Sequence, residues 1–184
     1  MKNIIKVPLI TFWTIILSLQ SSASFACSCL DGGEFAKNST RYQGVVRAKV
    51  IGYGDKHDLI DIHNNRSVPN LYKSIIVEVT AIIKGKLNHS KLELMGDRGA
   101  DCREYADSRK YGIGKEFLFV ISNEEQVQEL AGCGESSILI DNDTVKGYRL
   151  MNNKYEAYSM SVDALIKEMK IEAIKYEKIK QYSE

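Results

Sequence analysis

Cys27 and Cys29 stand one residue apart just after an apolar N-terminal run, and only Cys102 and Cys133 follow in the remainder of the 184 residues. Lys2 and Lys6 precede the run Val7 to Leu19, and Ser24-Phe25-Ala26 then supplies the small residues a signal peptidase reads. Residues 1–26 are therefore expected to be an export signal and residues 27–184 a single domain. A retained membrane anchor is one alternative, although the apolar run is shorter than the roughly 20 residues a bilayer span needs. Cleavage after Ala23 and lipoprotein processing at Cys27 are the rival outcomes, although Ser24 stands where the lipoprotein signal usually has a Leu-like residue.

In an oxidising compartment an even cysteine count reads most simply as two disulfides. A Cys27–Cys29 bond would close a very small, strained ring, so each of the two is expected to reach one of the distant cysteines, with either assignment open. The extreme N-terminus would then be pinned, where chain ends normally fray. A metal held by the Cys-x-Cys lacks partners, because neither Cys-x-x-Cys nor His-x-x-x-His occurs. His57, His63 and His89 fall in polar stretches and read as solvated.

Removing Lys2 and Lys6 leaves 23 of the 25 basic side chains against 24 acids, a net charge of −1. That balance points to no polyanion, and no basic patch is dense enough to suggest nucleic acid.

The body of the chain has period two. In "QGVVRAKVIG", Val46, Ala48 and Val50 share one face and Arg47 and Lys49 the other. "LYKSIIVEVTAIIKG" repeats the device with Ile75, Val77, Val79 and Ala81, and "KLELM" is a third, shorter strand. "KEFLFVIS" is a continuous apolar run, the mark of a strand covered on both sides. "SSILI" and "VKGYRLM" follow, parted by the turn formers Asp141-Asn142-Asp143. Residues 53–70 form a long polar loop. From Ser161 the period becomes helical through Val162, Leu165, Ile166, Met169, Ala173 and Tyr176, which predicts a helix over about 159–182 packed on the sheet. Five or six short antiparallel strands and one helix suit a closed five-stranded OB-type barrel, with a two-sheet sandwich as its competitor.

Several of these features together resemble a known family. They are the mature N-terminal Cys-x-Cys, the "VVRAKVIG" strand, Tyr72 followed by Val79, Ile82 and Lys84-Gly85, the lone Cys102, the "GKEFLFVIS" strand and the lone Cys133. The pattern, from Cys27 to about Ser137, resembles the N-terminal domain of the tissue inhibitors of metalloproteinases, within the netrin-like superfamily. The resemblance implies an OB-type barrel, with Cys27 paired to Cys102 and Cys29 to Cys133. It further implies that the free α-amine and carbonyl of Cys27 chelate the zinc of a partner protease while Ser28 enters the adjacent specificity pocket.

The function this implies is a secreted or periplasmic inhibitor of zinc metalloproteases, monomeric and without a cofactor of its own. Its protease-binding residues would be Cys27, Ser28, Cys29 and Leu30, with Ala100 and Asp101 alongside. The alternative is a non-inhibitory netrin-like module that binds another extracytoplasmic protein through a barrel face or the loop of residues 53–70. No nucleophile motif or metal-binding helix points to an enzyme.

Overall fold

The structure is a computed structural model that describes residues 34–58, 60–61, 66–97, 103–130, 135–151 and 154–183. All four cysteines, together with Ser28, Leu30, Ala100 and Asp101, lie outside these residues, so the expected pinning of the N-terminus by two disulfides has no counterpart among the described residues.

A short helix, α1 (Phe35–Ser39), leads into β1 (Gly44–Tyr53). The long loop then holds two-residue strands β2 (Ile60–Asp61) and β3 (Arg66–Ser67), which pair with each other. β4 (Leu71–Tyr72) precedes β5 (Ser74–Lys84) and β6 (Lys91–Met95), and β7 (Ala106–Asp107) pairs with β4. β8 (Glu116–Ile121), β9 (Val127–Glu129), β10 (Ser137–Asp141), β11 (Thr144–Met151) and β12 (Lys154–Ser161) complete the strands, and α2 (Val162–Ser183) ends the described chain. Ser161 caps that helix, its hydroxyl accepting from the Ala164 N–H at 3.2 Å.

Eight strands form one mixed sheet in the order β12-β11-β10-β8-β1-β5-β6-β9, and this corrects the expectation of a closed five-stranded barrel. The reason lies at β8. Each strand has two hydrogen-bonding edges; one edge of β8 takes β1, and the other is filled by β10 through Ser137↔Phe119 and Leu139↔Phe117. No edge of β8 is left for β9, which instead runs parallel to β6 over three residues. The sheet nevertheless rolls. Laid flat, β9 would lie about 19 Å from β8, four strand spacings away. Yet the Gln128 side-chain oxygen accepts from the Ser122 N–H at 3.2 Å, directly after β8. Register shifts along β1 between Val45 and Val46, Arg47 and Ala48, and Val50 and Gly52 supply bends of the kind bulges produce.

Two cores result, one on each face. Inside the roll, Val46, Ala48, Val50, Ile75, Val77, Leu92, Leu94, Phe117, Phe119 and Tyr111 pack together. Across the sheet, Val45, Leu118, Val120, Ile138, Ile140 and Val145 meet Phe35 of α1 and Val162, Leu165 and Met169 of α2. β8 is buried on both faces, as its unbroken apolar run predicts. Replacing the fully buried Leu165 by alanine should cost about 2–5 kcal/mol, because it strips the helix of its central contact with the sheet. Ile174→Ala, on the exposed side, should stay within about 0.5 kcal/mol in the same urea titration.

Gly85 ends β5 at φ +82°, and a side-chain carbon there would meet the Gln43 carbonyl at 2.5 Å, so only glycine fits. Beside it, Lys84 reaches back to donate to the carbonyls of Ser39 at 2.6 Å and Tyr42 at 2.8 Å, satisfying acceptors where α1 ends. Burial depresses the Lys84 ammonium below its usual range. His57 corrects a further reading: it is buried, its Nε2 2.9 Å from the Asp97 carbonyl oxygen. No described helix is long and apolar enough to cross a membrane.

Candidate functional site

Two glutamates, each two residues beyond a distant cysteine, organise a cleft among the described residues. Glu104 follows Cys102 in "CRE", and Glu135 follows Cys133 in "CGE". Both line a cleft of about 600 Å³ whose walls include Phe117, Ile138 and Tyr148.

Glu104 is saturated with donors. One carboxylate oxygen accepts from the Tyr111 hydroxyl at 2.7 Å, from Ser137 at 3.3 Å and from Ser136 at 3.4 Å; the other pairs with Lys110. The Ser137 hydroxyl also stands 2.7 Å from the Tyr111 oxygen, so its single proton is shared between that oxygen and Glu104. The Ser136 and Ser137 contacts fasten Glu104 to the start of β10, while Tyr111 and Lys110 hold it to the segment between β7 and β8.

Glu135 performs the same service for the N-terminal segment. Its Oε2 accepts from the Phe35 N–H at 3.3 Å, its Oε1 from the Tyr148 N–H at 2.8 Å, and its carbonyl from the Asn38 amide at 3.4 Å. Burial raises its carboxyl above the usual range, partly offset by the Tyr148 and Phe35 amides. Arg149 adds a clamp from β11, donating to Glu34 at 3.2 Å and to Glu168 of α2 at 2.5 Å while lying over the Tyr158 ring. Glu104 and Glu135 both line the cleft, and Glu135 in addition ties it to the start of α1 at Phe35.

Burial also pushes the phenols of Tyr111 and Tyr158 well above the ordinary tyrosine range. A phenol whose folded pKa is raised contributes stability fully present below its unfolded value of about 10, and that contribution is lost as pH rises through the folded value. An alkaline absorbance titration of the ten tyrosines should thus show a late phase that coincides with unfolding, its amplitude smaller by one tyrosine in Tyr111→Phe. A single phase at the ordinary pKa for all ten would contradict the buried cluster.

None of the expected protease-binding residues, Cys27, Ser28, Cys29, Leu30, Ala100 and Asp101, can be placed, since they lie outside the described residues. Glu104, Tyr111, Glu135 and Ser137 went unread in the sequence, although the repeated Cys-x-Glu spacing was a visible signal for the two acids. Among the described residues no group of three or more His, Cys, Asp or Glu is placed to hold a metal ion. No protein-family model matches this sequence, and no curated protein matches it either.

Proposed function

We propose that this is an exported inhibitor of zinc metalloproteases, in which the free α-amine and carbonyl of Cys27 chelate the zinc of the partner enzyme. The reading rests on the sequence resemblance, and one structural observation supports it. Glu135 holds the Phe35 amide while Glu104 holds Ser136 and Ser137, so the described residues that follow Cys102 and Cys133 are tied to each other and to the start of α1. A ligand pair at the start of the chain gains affinity when its surroundings are ordered before binding, because less conformational entropy remains to be lost.

The chemistry follows from zinc. A catalytic zinc keeps one coordination position open for water, and an amine with its own carbonyl closes a five-membered chelate there. Ser28 would then enter the pocket beside the metal, flanked by Leu30, Ala100 and Asp101. The first experiment is an intact mass of the exported protein followed by assay against a metalloprotease panel, with non-reduced peptide mapping of the same sample to read how the cysteines pair. A chain beginning at Cys27 with an unmodified amine that inhibits at least one enzyme supports the proposal. A longer or acylated N-terminus removes the ligand, and the protein would then be read as a non-inhibitory binding module.

A further inference from the structure

α2 carries two apolar stripes, and the sheet uses only one. At about 100° per residue, the buried stripe of Val162, Leu165 and Met169 is centred nearly opposite a second stripe of Ile171, Ile174, Ile179 and Tyr182. Those four are 53%, 59%, 69% and 92% exposed. They span about 140° of the helix surface, and Lys175 and Lys178 fall inside that arc. Residues 170–182 hold four lysines and two glutamates, a net charge of +2 in a mature chain of net −1. Glu172, which pairs with Lys175 at 2.5 Å, and Glu177 stand to either side of the arc.

We propose that this half of α2 lies on an anionic lipid bilayer, isoleucines dipping into the acyl boundary and lysines reaching the headgroups. Charge complementarity selects this occupant. A second copy packed along the stripe in antiparallel fashion would set Lys175 against Lys178, and in parallel fashion Lys175 against Lys175, so self-pairing opposes like charges. A negatively charged surface reverses the sign of that term. The lysine stems cover apolar surface while their heads extend outward, and a tyrosine at the end suits the interface between tails and water. The stripe stands on the convex side of a single helix, which a planar bilayer can accommodate to a depth of about 5–10 Å.

The test is co-sedimentation of the exported protein with phosphatidylglycerol–phosphatidylcholine vesicles and with phosphatidylcholine vesicles alone, at low and high salt. Binding should require the anionic lipid and weaken with salt. Lys175→Glu with Lys178→Glu should lower partitioning roughly fivefold per lysine removed, about twentyfold or more together. Ile174→Ser with Ile179→Ser should lower it comparably while circular dichroism and the thermal midpoint stay unchanged, since these side chains touch no core. Failure to bind anionic vesicles at low salt overturns the proposal, as does equal binding to both compositions. A solution dimer abolished by the isoleucine pair, without vesicle binding, would make the occupant a second copy. Retention on immobilised polyglutamate without vesicle binding would make it an acidic protein.

Discussion

Extending the mature chain by one alanine before Cys27 should reduce inhibition of a susceptible zinc metalloprotease by more than about a hundredfold, or about 2.7 kcal/mol, with the fold unchanged. The extension moves the new amine by one residue, about 3.8 Å, and turns the Cys27 nitrogen into an amide whose lone pair is delocalised into the peptide bond. Neither nitrogen can then close the five-membered chelate. Acetylating the Cys27 amine should have the same effect for the second reason alone. The pH profile is a companion test. Only the neutral amine binds metal, and an α-amine has a pKa near about 7.7–8.0, so below that value affinity should fall about tenfold per pH unit as each binding event displaces one proton. Equal potency of the extended and native proteins would end the wedge mechanism and leave the binding-module reading in its place.

How much of this was legible depended on whether the cause was local or distant. Alternation in Val46, Ala48 and Val50, the unbroken run Phe117 to Ile121 and the helical spacing of Val162, Leu165 and Met169 each report burial of one element's own faces, and each is found in the fold. The Asn142-Asp143 turn was readable because both residues take positive φ, which side chains of their type tolerate. Gly85 was readable as the residue that ends its strand, and Lys84, which entered only with a family pattern, has a local physical account in the carbonyls it caps. Closure of the barrel was not local at all. It depended on which strand took the second edge of β8, and β10 and β9 compete for that edge without leaving any periodicity that names the winner. β12 was invisible for a different reason: as an exposed edge strand, mostly open to solvent, it buries too little to impose alternation. The cleft acids were missed because the partners that bring them to the cleft lie far along the chain, Phe35 a hundred residues from Glu135 and Ser137 thirty-three from Glu104.

Phe119→Ala should be the most damaging single core substitution, costing about 3–5 kcal/mol. The ring is 1% exposed and packs within 5.4 Å of the Phe117 ring and 6.0 Å of the Tyr111 ring, centroid to centroid. Truncation therefore removes one member of a three-ring cluster and leaves a void that the others cannot fill. Tyr111 is anchored to Glu104 and Ser137 through its hydroxyl, and Phe117 is fixed on the same strand. Collapse of the site is further resisted because β8 is laddered on both edges, to β1 at Val46 and to β10 at Ser137 opposite this very residue. Against a total stability of about 5–15 kcal/mol for a domain, such a loss leaves a marginal fold. Urea denaturation should show a lower midpoint with an unchanged slope, the sign of lost stability in an otherwise similar native state. Phe119→Leu, which keeps most of the volume, should recover the larger part of it. If alanine at this position costs less than about 1 kcal/mol, the rolled core is not the cooperative centre of the domain, and the support it gives to the cleft above it would have to come from elsewhere.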